Sequence, residues 1–188
     1  MTDEAVAQPT GLRASAAAFA RDRHAGQLRK GTDVPYIVHP AGVAAILARH
    51  YPDRDELVAA GWLHDTLEDT DTTADEIATA FGPEVRRLVE AVTHGWRQVI
   101  HPSRDPDALR LKAADVLDNV TFTIAELRRG EDVWVRFRYG RAKVAYWRRI
   151  ADGVEWRIGS EPLARELRAA MDEVEALASV GRGVRSRR

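Results

Sequence analysis

The residues best suited to chemistry lie close together near the middle of the chain, in the segment Trp62-Leu-His-Asp-Thr-Leu-Glu-Asp69. In one helix, His64 and Asp65 would point about 100° apart and could bind one cation from neighbouring positions. Glu68 lies four positions after His64, and Asp69 lies four positions after Asp65. Each carboxylate would therefore share a helix face with one member of the first pair. This spacing predicts a metal site on a helix that also carries two carboxylates able to handle a water molecule.

Further metal ligands must come from elsewhere, because a catalytic metal usually has three or four protein ligands and an open position. His39 stands where a loop segment meets the next predicted helix, a place from which residues commonly reach a site, although a lone histidine there is otherwise a surface residue. Asp115 lies within the apolar segment 113–117, and a buried carboxylate needs a metal or cation partner. Asp118 and Asn119 could equally be solvated or capping groups.

The chemistry of such a site follows from its ligand types. The chain has no cysteine, so a metal must be held by nitrogen and oxygen. Two imidazoles and two carboxylates suit Mn²⁺, Fe²⁺ or Zn²⁺, and the remaining histidines are too scattered to predict a second ion. Because the segments offer no serine or cysteine nucleophile, we expect direct attack by water.

The elements that must position these residues are helices. Spacing, caps and prolines predict helices over about 14–24, 40–50, 53–69, 71–81, 83–94, 107–129, 135–151 and 161–178, with loops over 26–39 and 95–106. No alternating pattern predicts a strand. The predicted fold class is therefore all-α, a single compact helical bundle over residues 12–180. Residues 1–11 and the basic tail 181–188 are predicted to be disordered.

Composition excludes several classes of partner. A net charge of −1 argues against a general nucleic-acid or membrane binder. No apolar run is long enough to span a bilayer, and the first residues do not resemble a signal peptide. Because the chain has no cysteine, a cytoplasmic protein is expected. The chain has 25 arginines but only Lys30, Lys112 and Lys143. Codon bias with chance placement explains the number and positions of these three lysines as well as a functional role does.

Four segments in order resemble the HD hydrolase domain of RelA/SpoT-type alarmone enzymes. The family patterns H-x-G-Q-x-R-K, P-Y-I-x-H-P, H-D-x-x-E-D and A-D-x-x-x-N match residues 24–30, 35–40, 64–69 and 114–119. The resemblance implies a compact HD-domain bundle. It also implies one metal ion, usually Mn²⁺, with four ligands: His39, His64, Asp65 and Asp115.

The same resemblance assigns roles to five other residues. Glu68 and Asp69 match the acidic pair that positions or activates the attacking water. Arg29 and Lys30 match a basic pair near the nucleotide, with Arg29 against the base and phosphates. Asn119 matches a residue of the substrate pocket. The implied reaction removes the 3′-pyrophosphate from (p)ppGpp, a small nucleotide, in an enzyme that could also form homo-oligomers.

Departures from the family pattern leave alternatives open. The stretch between Thr93 and Lys112 is short, Phe122 replaces a polar residue, and Asp118 replaces an aromatic residue or histidine. The substrate could therefore be another nucleotide or a 3′-phosphorylated cofactor, or the protein could be a nucleotide-binding regulator without turnover. His24 could be structural or contact the substrate. Five aromatic residues could belong to the core or stack on a base: Trp134, Phe137, Tyr139, Tyr146 and Trp147.

Overall fold

The computed structural model describes residues 11–93 and 105–180. Nine α-helices are assigned within these ranges, and the ranges contain no strand, only an isolated bridge between Leu28 and Pro35. The helices are α1 Leu12–Arg23, α2 Val38–His50, α3 Asp55–Leu63, α4 Thr66–Asp69, α5 Ala74–Phe81, α6 Pro83–Val92, α7 Pro106–Arg128, α8 Ala142–Ile158 and α9 Pro162–Val180. The all-α prediction is confirmed. Predictions for residues 1–10, 181–188 and most of the 95–106 loop lie outside the described residues, and the boundaries of the 12–180 domain stay a prediction.

Local sequence explains where several helices begin. Thr73 accepts a hydrogen bond from the Glu76 amide, and the Glu76 side chain accepts one from the Thr73 amide, which forms a capping box at the start of α5. Pro83 and Pro106 occupy the first turns of α6 and α7, where a missing amide proton costs nothing. Among the described helices, none is long and apolar enough to cross a membrane.

Two predicted helices differ from the structure. The helix predicted over 53–69 ends at Leu63, and the separate turn α4 begins at Thr66. Asp65, between them, has φ −99° and ψ −3°, away from ideal helical values, and this lets both its side chain and that of His64 face one site. The helix predicted from residue 135 begins only at Ala142, after a 3₁₀ turn over Val133–Arg136.

The central helix α7 contributes to two apolar clusters. Leu111 and Ala114 join a cluster built from α1, α2, α3, α5 and α6, whereas Ala113 and Val116 join one built from α8 and α9. Each buried leucine contributes roughly 1.5–3 kcal/mol of burial free energy. Asp115 lies between these buried positions on α7, so packing on both sides of the helix fixes where its carboxylate points.

Candidate active site

Three separate parts of the fold bring the four predicted metal ligands together. His39 lies in the first turn of α2, His64 and Asp65 lie at the break between α3 and α4, and Asp115 lies in the middle of α7. Both histidines are buried, with 3% of their surface exposed. His64 Nε2 lies 3.2 Å from His39 Nε2 and 3.0 Å from Asp65 Oδ2. His39 Nε2 lies 3.4 Å from Asp65 Oδ2 and 3.3 Å from Asp115 Oδ1.

These distances fit a single divalent ion. Ligand atoms about 2.1 Å from a metal lie about 3.0 Å apart at a right angle and about 3.4 Å apart in a tetrahedron. Three of the four, His39, His64 and Asp115, have ligating atoms that all lie within 4.8 Å of one another, and Asp65 contacts the two histidines of this group. The mixed nitrogen and oxygen donors suit Mn²⁺, Fe²⁺ or Zn²⁺.

A hydrogen bond at Nδ1 of each imidazole orients its Nε2 toward the point where the predicted ligand atoms meet. His39 Nδ1 lies 2.6 Å from Asp118 Oδ2, and His64 Nδ1 lies 3.0 Å from the Gly61 carbonyl oxygen. Both partners are acceptors, so each Nδ1 carries the proton and donates it. The two Nε2 atoms then lie 3.2 Å apart, an arrangement that is favourable only with a positive charge between them, either a metal ion or a proton on one Nε2. Such outer partners are typical of metal-binding histidines.

Asp118 contacts two of the predicted site residues, a position that its sequence context did not predict. The same Oδ2 atom that accepts from His39 also lies 3.2 Å from Arg29 Nη1. Gly42, one turn after His39 on α2, makes room for this carboxylate, because an added Cβ would overlap Asp118 Oδ1 and lie 2.9 Å from its Cγ. The sequence signal was present: Asp118 lies three positions after Asp115, on nearly the same face of α7.

Asp115 is held by two neighbours on its own helix. Lys112 Nζ donates to Asp115 Oδ2 at 2.6 Å, and Asn119 Nδ2 donates to Asp115 Oδ1 at 2.8 Å. Burial would raise the pKa of Asp115, but Lys112, His39 and His64 outweigh it and hold that pKa well below its usual value. Asp115 is therefore an anion, the form that a metal ion requires.

Without a metal ion, the carboxylates favour protonated histidines. Burial alone would lower the pKa of His39, but hydrogen bonds with Asp115, Asp118 and Asp65 raise it well above its ordinary value. The pKa of His64 is raised in the same way, chiefly by Asp65 acting against burial. The cluster therefore attracts positive charge, whether protons or a metal ion.

The predicted acidic pair lies beside this cluster. Glu68 and Asp69 both line the cavity that contains the four ligands. The Tyr36 hydroxyl donates to Asp65 Oδ2 at 2.5 Å and lies 3.1 Å from Asp69 Oδ2, so it links a predicted ligand to the pair. Burial and the charge of Asp65 raise the pKa of Asp69, which favours a group that exchanges protons.

His24 lies outside the cavity lining and supports this region from behind. Its ring is buried, with 2% of its surface exposed, and its Nδ1 lies 2.8 Å from Gln27 Oε1. Gln27 Nε2 in turn donates to the Asp69 backbone carbonyl at 2.8 Å. The structural interpretation of His24 is therefore the one that the contacts favour.

Arg29 is fixed on three sides. Its guanidinium lies 3.9 Å from the centroid of the Phe122 ring, while its amino groups contact Asp118 and, at 3.1 Å, the Asn119 side-chain oxygen. Only 7% of its surface is exposed. Asn119 thus connects Arg29 to Asp115 through the two ends of its amide.

One cavity of about 420 Å³ collects all nine predicted site residues, a size suited to a small-molecule ligand. These are Arg29, Lys30, His39, His64, Asp65, Glu68, Asp69, Asp115 and Asn119. All three lysines of the chain also line it, although codon bias was an equal explanation for them. Of the five aromatic residues considered for base stacking, Phe137 and Tyr146 line the cavity, Trp134 and Trp147 are buried in the core, and Tyr139 is exposed.

Comparison with known proteins agrees with this architecture. A family model described as an HD domain matches residues 16–106. A protein of Listeria monocytogenes EGD-e of known crystal structure is 31% identical, with a TM-score of 0.59 over 71% of this chain and 96% of that one. With its paired His64 and Asp65 in an all-α fold, the chain belongs to the HD-domain family.

Three of the relatives share one enzyme name, guanosine-3′,5′-bis(diphosphate) 3′-pyrophosphohydrolase. The human protein of that name is 54% identical and the mouse protein 45% identical, each over 56% of this chain and 65% of its own length. The Aquifex aeolicus protein is 40% identical over 68% of this chain and 18% of its own. The chain therefore spans less than two thirds of the length of these relatives.

A second solved structure shows the same fold. It was described as a metazoan orthologue of SpoT that hydrolyses ppGpp. Its TM-score is 0.67, at 24% sequence identity, over 88% of this chain and 94% of that one.

Proposed function

We propose that this chain is a metal-dependent phosphohydrolase that removes the 3′-pyrophosphate from ppGpp, yielding GDP and pyrophosphate. The observation that carries the proposal is the convergence of four ligand atoms and an acidic pair on one cavity whose lining also includes five cationic side chains. Acidic groups that hold a metal and basic groups that attract phosphate are the two requirements of phosphoryl-transfer chemistry. The shared name of the human, mouse and Aquifex relatives supports the choice of substrate.

The ligands in this proposal are His39, His64, Asp65 and Asp115, and the ion we propose is Mn²⁺, with Fe²⁺ and Zn²⁺ as substitutes. A divalent ion held there would polarise a phosphoryl oxygen and acidify the attacking water. The four side chains supply two neutral nitrogens and two negative oxygens, a donor set that offsets the ion's charge.

The protein's own groups would then carry out the proton transfers and charge stabilisation. Glu68 and Asp69 would orient the water and accept its proton as it attacks the 3′-phosphorus, from which the ribose 3′-oxygen departs. Arg29 and Lys30 would offset the negative charge that develops on the phosphoryl oxygens. Asn119 would hold Arg29 and Asp115 in fixed relative positions, because its amide contacts both side chains.

The test is pyrophosphate release from ppGpp by purified protein supplied with Mn²⁺, Fe²⁺ or Zn²⁺. We expect release by the wild type, loss in His64→Ala and Asp115→Asn, and retention in Asp152→Asn, which removes an exposed carboxylate on α8. Failure of the wild type with all three ions would refute the proposal. If a substrate panel shows cleavage of another nucleotide or a 3′-phosphorylated cofactor instead, that compound would replace ppGpp as the proposed substrate. Tight ppGpp binding without product would indicate a nucleotide-binding regulator.

A further inference from the structure

The placement of lysine in this chain is unusual. Only three of its 28 basic side chains are lysines, and all three line the same cavity: Lys30, Lys112 and Lys143. A genome that favours arginine codons explains why lysine is scarce, but it does not explain why every lysine lies at one site. A compact ammonium with three donors suits phosphate oxygens approaching from several directions.

The lysines differ in what they contact. Lys112 is paired with Asp115 at 2.6 Å and so belongs to the metal cluster. Lys143, in the first turn of α8, has no carboxylate within 4.0 Å in the part of the chain that the structure describes. Its Nζ instead lies 4.4 Å from the Tyr146 ring centroid and 5.6 Å from that of Trp147. These rings hold the ammonium in position without neutralising it.

The charges around Lys143 also favour an anion. Burial lowers its pKa, and the positive charges of Lys112 and Lys30 lower it further, against the opposing effect of Asp115. Three cations facing one cavity repel one another, and a bound anion would relieve that repulsion. Neither Tyr146 nor Trp147 can supply a negative charge at neutral pH.

We infer that Lys143 forms a second anion subsite, which binds a phosphate group of the substrate other than the one that is hydrolysed. The inference rests on the proposed function, under which the metal cluster takes the 3′-diphosphate and this subsite takes the 5′-diphosphate. Lys143 is then a specificity-determining residue that distinguishes nucleotides with phosphates at both ends from those with one.

The first experiment compares two substrates, guanosine 3′-diphosphate with and without a 5′-diphosphate. Removing one charge-assisted hydrogen bond should raise KM for the 5′-phosphorylated substrate about 10-fold more in Lys143→Gln than KM for the other. Lys143→Arg should restore most of the preference, because it keeps the charge. Arg149→Gln, which removes an exposed cation from the same helix, is the matched control and should match the wild type. Equal losses on both substrates would overturn the inference.

The second experiment does not need turnover, so it separates this inference from the proposed function. Inorganic pyrophosphate is titrated into chelator-treated protein by calorimetry, and the melting temperature of each variant confirms that it is folded. We expect Lys143→Gln to weaken pyrophosphate binding about 10-fold and the Arg149→Gln control to leave it unchanged. Equal pyrophosphate affinity in the wild type and Lys143→Gln would refute the subsite. If Lys143→Gln loses affinity as expected but the wild type does not hydrolyse ppGpp, the subsite is supported and the proposed substrate is refuted.

Discussion

The Asp118 carboxylate lies 2.6 Å from the His39 imidazole nitrogen Nδ1, and the two residues are 79 positions apart in the sequence. The same oxygen lies 3.2 Å from an Arg29 amino group. One carboxylate therefore orients a predicted metal ligand and a predicted substrate-binding arginine at once. This geometry links the two halves of the candidate active site, so a change at Asp118 should affect both.

Asp118→Asn tests the link directly. An amide keeps the shape of the side chain but removes the negative charge that orients His39, so we expect metal affinity to fall about 10–100-fold. Calorimetric titration of Mn²⁺ measures this effect. The control is Asp152→Asn, which replaces an exposed carboxylate of α8 and should leave the affinity unchanged. Unchanged affinity in Asp118→Asn would show that His39 does not depend on this contact.

Gly42→Ala should weaken metal binding without lowering the stability of the metal-free protein to a matching extent. Alanine favours a helix interior by about 1 kcal/mol over glycine, but its Cβ would overlap Asp118 Oδ1 and displace that carboxylate. We therefore expect weaker metal binding without a matching loss of metal-free stability, measured by Mn²⁺ titration and by denaturant unfolding in chelator.

A double variant shows whether Gly42 acts through Asp118. Once Asp118→Ala has removed the carboxylate, adding Gly42→Ala should lower metal affinity no further. Additive losses would instead indicate that the new methyl group disturbs α2 itself.

The effect of metal on stability should depend on pH. In the metal-free protein the pKa of His39 is raised above its unfolded value of about 6.5 by three carboxylates that outweigh burial. That proton stabilises the fold fully below about pH 6.5, and its contribution is lost as pH rises through the folded pKa. Because a metal ion must displace this proton, metal binding strengthens over the same range.

Thermal melts with chelator and with saturating Mn²⁺ measure this difference. From pH 6 to 9 the gap between the two melting temperatures should widen, with each displaced proton worth about 1.4 kcal/mol per pH unit. A gap that stays constant would contradict proton displacement at the histidines. Thr73→Ala, which removes the α5 cap at a cost of about 1 kcal/mol, should lower both curves equally and serves as the control.

Arg29→Lys should impair substrate binding although it keeps the charge. Lysine cannot reproduce the planar stacking on Phe122 or contact Asp118 and Asn119 with two separate amino groups. We expect KM for ppGpp to rise about 10-fold while metal affinity changes little. Arg49→Lys, at an exposed ion pair with Glu166, is the matched control. An unaltered KM in Arg29→Lys would exclude Arg29 from the substrate site.

Much of the fold was predictable because the signals are local. Thr73 and Glu76 mark a helix start by their spacing, and proline at 83 marks another. The break at His64 and Asp65, between α3 and α4, was not predictable, because the segment 55–69 contains no proline and its one glycine lies inside α3. Tertiary packing, not local preference, ends that helix.

The sequence by itself determined the all-α class, the nitrogen and oxygen character of the site and the order of the segments that carry it. Only the tertiary structure decided that His39 faces His64, that Asp118 supports both His39 and Arg29, and that every lysine lines one cavity. The physical reason is that each of these relationships joins residues on different elements. Their distances are set by how α2, α7 and α8 pack around the shared core, which no spacing along the chain encodes.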